Sequence, residues 1–320
     1  MKICKAIRDA HKKGQPKFDN LKAELRDFLK PKIEERGWFY SDRVKALESF
    51  SLKIETGRVA NINDLEDFFG CTIIVPNLMH IQNACFLIEK DFHILERRPP
   101  KDDETHKNAS DFTFDDLRLY VKRKPAVGRF RETDELKFEI QLKTILQYAW
   151  GIATHDLIYK TDDVSWSKAR IAFQVKAMLE HSELVIAEAS SLSSAPAVSK
   201  QDKYTKNILL TIEQLKITWG ADHLPSNLKQ LSETINKLLV AIECSPTELK
   251  TIIDIERQRI GIIPLDLSPY AFILQALINS TTLKFEEKFK RSRKLSIVIH
   301  KGMDLPEWIK TNNNKIINLD

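Results

Sequence analysis

Phe138-Glu139-Ile140-Gln141-Leu142-Lys143-Thr144 is the stretch on which the reading of this chain turns. Leu136, Phe138, Ile140 and Leu142 alternate, so a strand through them turns one apolar face inward and gathers Lys137, Glu139, Gln141 and Lys143 on the other. Beyond it, the residues from Thr144 to Ile158 read as a helix carrying Trp150 and His155, followed by Tyr159-Lys160. A strand that brings a carboxylate, an amide and two ammonium groups to one surface is a candidate site floor. A solvated strand face carries the same residue types, and periodicity alone does not separate the two.

Outward from this strand the pattern is mixed α/β. Phe18, Leu21, Leu25, Phe28, Leu29 and Ile33 recur at helical spacing and predict an N-terminal amphipathic helix closed by Gly37. Cys71–Val75, His93–Arg97, Leu117–Lys122 and Leu136–Leu142 are candidate strands, with a helix over Leu78–Lys90. The polar, proline-led segment from Arg98 to Asn108 reads as a mobile flap. A helix from Trp166 to about Ala189 precedes Ser190–Pro196, a serine-rich linker by composition. The organisation expected is a domain over 1–190, a linker over 191–205 and a mostly helical domain over 206–320. In that last part Ser245-Pro246-Thr247-Glu248 carries a capping box with proline at the first helical position, Ser268-Pro269 repeats the start signal, and Leu295–Ile299 is a candidate short strand. No internal repeat is visible.

At 320 residues with 42% hydrophobic content the chain has room for two cores. No apolar run approaches the length of a bilayer, and Met1–Arg8 lacks the apolar centre of a signal peptide, so a cytoplasmic protein without a membrane partner is expected. Cys4, Cys71, Cys85 and Cys244 have no metal-ligand spacing and read as reduced thiols. A net charge of +5 neither requires nor excludes nucleic acid. Locally, Lys284, Lys288, Lys290, Arg291, Arg293 and Lys294 crowd one segment against Glu286 and Glu287, which suits a solvated helix face or an RNA backbone contact.

The segment from Phe138 to Lys160 resembles the Glu-x-Gln region of the RelA/SpoT synthetase domain, the nucleotidyltransferase-like fold of long, small and toxic small alarmone synthetases. Arg43-Val44-Lys45, Glu48-Ser49 and Lys53 are similar to that family's basic segment for the donor nucleotide. Asp67-Phe68-Phe69-Gly70 is similar to its Asp-x-x-Gly turn, so the resemblance covers about residues 38 to 160. It implies an α+β fold, a mixed β-sheet flanked by helices. It also implies magnesium-dependent transfer of pyrophosphate from ATP to a ribose 3′-hydroxyl, with (p)ppGpp-type alarmone synthesis from GDP or GTP as the leading reading. By the resemblance Glu139 and Gln141 are catalytic, Asp67 and Glu139 hold the metal, and Arg43, Lys45, Lys53, Arg58, Phe114, Arg118, Lys143 and His155 contact nucleotide.

Several positions depart from the family. Thr72 stands where an adenine-stacking Arg is expected, and Thr56 replaces another Arg for which Arg58 is close enough to substitute. The acceptor segment aligns as Thr113–Arg118, keeping an aromatic at Phe114 but placing Arg118 where the family has His. Two other readings therefore stand beside the synthetase: a degenerate, non-catalytic nucleotide-binding sensor, and a toxin that pyrophosphorylates the 3′ end of tRNA. Asp67 as a turn residue, Phe114 and His155 as core residues and Trp150 as packing are the structural alternatives at those positions. The helical C-terminal part is expected to bind a regulatory protein or control the domain, and a homo-oligomer is a further expectation. No His-Asp motif for alarmone hydrolysis is present.

Overall fold

The alternation through Phe138–Thr144 does build a central strand. In the computed structural model five strands form one mixed sheet in the order β1-β2-β5-β4-β3, where β1 is Phe39–Val44, β2 Phe69–Val75, β3 Phe92–Arg98, β4 Leu117–Arg123 and β5 Phe138–Thr144. The β2–β5 pair is parallel and the other three are antiparallel. The structure describes residues 2–57, 68–101, 117–125, 131–155, 164–261, 267–292, 295–310 and 314–319. Most of the expected flap lies outside them.

One sheet face is core. Phe69, Cys71, Ile73 and Val75 of β2, Leu119 and Val121 of β4, and Phe138, Ile140 and Leu142 of β5 bury against Leu21, Leu25, Leu29 and Ile33 of α1 (Lys5–Glu34) and Ala84, Cys85 and Ile88 of α3 (Ile81–Asp91). Because side chains alternate along a strand, the register fixes the opposite face as two rows. One runs Arg43, Gly70, Glu139, Tyr120 and the next Ser41, Thr72, Gln141, Arg118.

Two elements differ from the sequence expectation here. Helix α1 starts at Lys5 and continues through Gly14 and Pro16, residues that normally interrupt a helix. Tertiary packing overrides them: Ile7 and His11 are buried, and a Cβ on Gly14 would stand 3.4 Å from the Phe68 ring. Strand β1 has no clean period-2 signal, because Asp42 sits on the core-side face, where its carboxylate takes two hydrogen bonds from Arg26 of α1 at 2.7 and 2.8 Å.

α2 (Leu47–Glu55) joins β1 to the segment before β2, and α4 (Ile145–Ala153) follows β5 through a capping box in which Thr144 accepts from the Gln147 N–H and Gln147 from the Thr144 N–H. Helix α4 closes at Ala153, and residues 156–158 of the expected helix lie outside the described residues. α5 (Trp166–Ala187) packs on it: the Trp150 indole donates to the Ala172 carbonyl at 2.9 Å, and the Lys176 ammonium stands 4.4 Å from the Trp150 ring centre. Trp150 is therefore a packing residue. The Thr144 hydroxyl and the Gln147 amide both donate to buried Glu183 of α5, whose pKa burial pushes up, although those two hydrogen bonds oppose the shift.

The chain divides into two compact units, residues 1–198 and 199–320. The serine-rich stretch expected as linker is itself helical over Ala189–Ser194 (α6), since serines tolerate a helix that continues directly from α5. The second unit contains α7 (Lys203–Trp219), α8 (Leu228–Ala241), α9 (Pro246–Ile260), α10 (Pro269–Asn279) and α11 (Phe285–Arg291), with a parallel pair of β6 (Ile297–Ile299) and β7 (Ile316–Asn318). α10 is buried from Ala271 to Ile278 on all sides, which makes it the axis of this unit's core. Three cations of the basic cluster have carboxylate partners: Lys290 with Glu286 at 2.5 Å, and Lys288 and Arg291 with Glu243 at 3.8 and 2.8 Å. Glu243, remote in sequence, supplies an opposition that the local reading did not include. Among the described residues no helix is long and apolar enough to cross a membrane.

Candidate active site

The polar face of the sheet floors a cavity of about 430 Å³ lined by residues of β1, β2, β4, β5 and α4. Its chemical centre is Glu139, which is only 5% exposed although it lies on the cavity side. The Gln141 amide donates to Glu139 Oε1 at 2.5 Å, and the Arg118 guanidinium approaches the same oxygen at 3.9 Å. Residues two apart on a strand share a face, so the Glu-x-Gln spacing itself produces the first contact. The second comes from strand pairing, which sets Arg118 directly opposite Gln141. Among the described residues Glu139 has no further side-chain partner, which leaves Oε2 for a ligand.

Cations converge from both sides. Arg43 from β1, Lys45 just beyond it, Lys143 from β5 and Arg118 from β4 all line the cavity. Gly70 lies between Arg43 and Glu139 in the pairing register; with no side chain there, the floor stays open. A Cβ at Gly70 would come no nearer than 3.8 Å to the Glu139 carbonyl, so local sterics do not demand glycine and an open floor is what its absence of a side chain contributes. Thr72 lines the cavity beside Gln141.

The backbone at Lys45 is held at both polar groups. Its N–H donates to the Phe68 carbonyl at 2.8 Å, and its carbonyl lies 2.9 Å from His11 Nε2 of α1. Lys53 lies in the last turn of α2 and is not among the cavity-lining residues.

The far wall comes from Tyr148, Gly151, Ile152 and His155. Tyr148, Ile152 and His155 follow helical i, i+4, i+7 spacing, a signal present in the sequence that picks out one wall. His155 is half-buried and lines this cavity, where its place after an apolar helix suggested a core position. Ser41, Tyr148 and Ile152 were absent from the sequence-derived site because their placement depends on strand register and helix docking. Arg58, Asp67, Phe114, Tyr159 and Lys160 lie outside the described residues.

Set against known proteins, residues 42–164 match the sequence model of the region found in RelA / SpoT proteins. The structure is similar to that of a GTP pyrophosphokinase family protein from Streptococcus pneumoniae, with 20% identity and a TM-score of 0.42, covering 61% of this chain and 96% of that one. It is also similar to the small alarmone synthetase 1 from Bacillus subtilis bound to its product pppGpp, with 20% identity, a TM-score of 0.39 and coverage of 49% and 80%. No curated protein sequence matches.

Proposed function

We propose that the first unit is a nucleotide pyrophosphokinase that moves the β,γ-pyrophosphate of ATP onto the ribose 3′-hydroxyl of GDP or GTP. One observation carries the reading: Glu139 is buried on the floor of a cation-lined cavity with one oxygen engaged by Gln141 and Arg118 and the other uncommitted. A purely structural buried carboxylate has both oxygens satisfied. In the reaction the 3′-oxygen bonds to the β-phosphorus, the bond to the α-phosphate oxygen breaks, AMP leaves, and Glu139 takes the hydroxyl proton. Gln141 holds the carboxylate in its rotamer, while Arg118 offsets negative charge on the acceptor side. Lys45 lines the donor phosphates and Arg43 stacks on the donor base.

The residues fit magnesium, since a carboxylate with an uncommitted oxygen beside a phosphate site is the hard-oxygen environment that ion prefers. Glu139 would hold it, with Asp67 as the second carboxylate expected there. When bound, the ion neutralises charge on the transferring phosphates.

The test is incubation of the full chain with γ-labelled ATP, magnesium and, in turn, GDP, GTP, other nucleotides and bulk tRNA. Label in a guanine nucleotide is the expected result. Label in tRNA alone would replace that acceptor, and the pairing of Lys288, Lys290 and Arg291 with carboxylates speaks against an RNA surface on that cluster. ATP binding without any transfer would favour a non-catalytic nucleotide sensor, a reading supported by Thr72, which cannot stack on a base.

A further inference from the structure

We infer that His11 is a positioning residue for the donor-phosphate side of the site, an inference that rests on the donor role of Lys45 proposed above. His11 lies on the N-terminal helix, 34 positions before Lys45 and well upstream of the matched region. Its imidazole is 8% exposed and caged by phenylalanines: the Phe50 ring stands edge-on at 5.2 Å and the Phe68 ring at 5.1 Å, with Phe18 stacked behind Phe68 at 4.6 Å. Leucine or phenylalanine would fill such a cage at lower desolvation cost. What only a ring nitrogen adds is the contact to the Lys45 carbonyl at 2.9 Å, and that carbonyl is the sole hydrogen-bond partner of the imidazole among the described residues. A carbonyl only accepts, so Nε2 carries the proton and donates.

Three segments of the donor side converge on this ring. Lys45 is clamped between His11 and the Phe68 carbonyl. Phe50 belongs to α2, the helix that carries Lys53 in its last turn. Phe68 directly follows the acidic residue expected at the metal and opens into β2. One buried imidazole thus fixes the backbone from which the phosphate-binding lysine projects, and ties it to the two neighbouring segments. Side chains that bind charge at a site must be held to within a fraction of an ångström, which backbone clamping supplies.

The experiment compares binding of magnesium-ATP to the full chain by calorimetry in the wild type, His11→Phe, His11→Gln and Lys45→Ala, with thermal unfolding of each. His11→Phe keeps the aromatic cage and removes the donor; the expected result is an ATP Kd raised on the order of tenfold, with faster hydrogen exchange at the Lys45 amide and a folded protein. His11→Gln, whose amide nitrogen reaches the position of Nε2, is expected to restore most of the affinity. Lys45→Ala tests the site reading separately. Weakened binding in Lys45→Ala together with wild-type affinity and exchange in His11→Phe would overturn the role of His11 alone. Unchanged binding in Lys45→Ala would overturn the donor reading and this inference with it. If His11→Phe unfolds, failure of the folded His11→Gln variant to bind better than Lys45→Ala would likewise reject it.

Discussion

Two glutamates are buried to nearly the same depth in this molecule and are surrounded in opposite ways. Glu256, in α9 of the second unit, is 3% exposed and takes hydrogen bonds from Arg259 Nε at 2.8 Å and Nη2 at 2.6 Å, Gln275 at 2.8 Å and Asn279 at 3.0 Å. Arg259 also reaches Asp304 at 2.6 Å, whose backbone N–H donates to Gln275, so the network joins α9 and α10 to the loop before α12 (Glu307–Lys310). Glu139, 5% exposed, has Gln141 and a distant Arg118 on one oxygen. Both oxygens of Glu256 are spoken for, so that carboxylate can only hold structure. A buried charge left half-coordinated beside a cavity is costly to fold around and is the usual arrangement where a ligand completes the shell. Saturation of partners, more than burial, separates the two carboxylates.

The sharpest break of this comparison is Glu139→Gln. It is nearly isosteric, so the fold is expected to stand, while transfer of label from ATP falls by on the order of 10³-fold through loss of the charge at the reacting centre. Retained turnover would remove Glu139 from the mechanism and make it a second Glu256. The reciprocal variant is Glu256→Ala, which strands Arg259, Gln275 and Asn279 without their acceptor. Denaturant unfolding is expected to show a loss of about 3–5 kcal/mol in the second unit, the range for breaking a buried pair. A midpoint shift of a few tenths of that size would show the network to be water-competent and the contrast drawn here too strong.

Acid titration of stability separates a third buried glutamate from Glu256. Burial raises the pKa of Glu256, but Arg259, Gln275 and Asn279 together outweigh it and bring the folded value below the ordinary 4.5. Its stabilisation is therefore present above that unfolded value and is lost as pH falls through the lower folded one. For Glu183 burial wins and the folded value lies above 4.5, so its ionisation costs stability as pH rises through the window from 4.5 to the folded pKa. Glu183→Gln is expected to unfold at a higher temperature than wild type at neutral pH and at the same temperature below pH 4.5. Identical melting curves at both pH values would mean that Glu183 is ionised in the fold without penalty. The smallest effect is expected from Thr72→Arg, whose side chain would project from β2 into the cavity and stack on the donor base. Calorimetry is expected to show ATP binding tightened by about 1 kcal/mol, one cation–π contact. Unchanged or weaker binding would place adenine elsewhere.

Much of the site was legible because it depends on local spacing. Glu139, Gln141 and Lys143 share a face by strand alternation alone, and the apolar partners Phe138, Ile140 and Leu142 are all fully buried. The start of α9 was equally legible, since Ser245 and Glu248 cap each other within four residues. What escaped depended on partners far along the chain. β1 was hidden because Asp42 occupies a core-facing position, acceptable only beside Arg26 and Lys22. The first turns of α1 were hidden by Gly14 and Pro16, and His11 carried no motif at all. The basic C-terminal cluster was opposed in the sequence only by Glu286 and Glu287, and Glu243 joined them through the fold.

The sequence by itself therefore determined the sheet's central strand, the polar face it presents, the helix starts with their caps, and the family likeness of residues 42–164. These follow from side-chain periodicity and short-range hydrogen bonding, whose partners lie within a few residues. Only the tertiary structure decided that Arg118 sits opposite Gln141, that His155 turns to the cavity while Trp150 turns to α5, and that Glu139 and Glu256 are different kinds of buried charge. Each of those depends on strand register or on which helix packs where, and such contacts are set by the burial of whole faces rather than by any residue's neighbours in the chain.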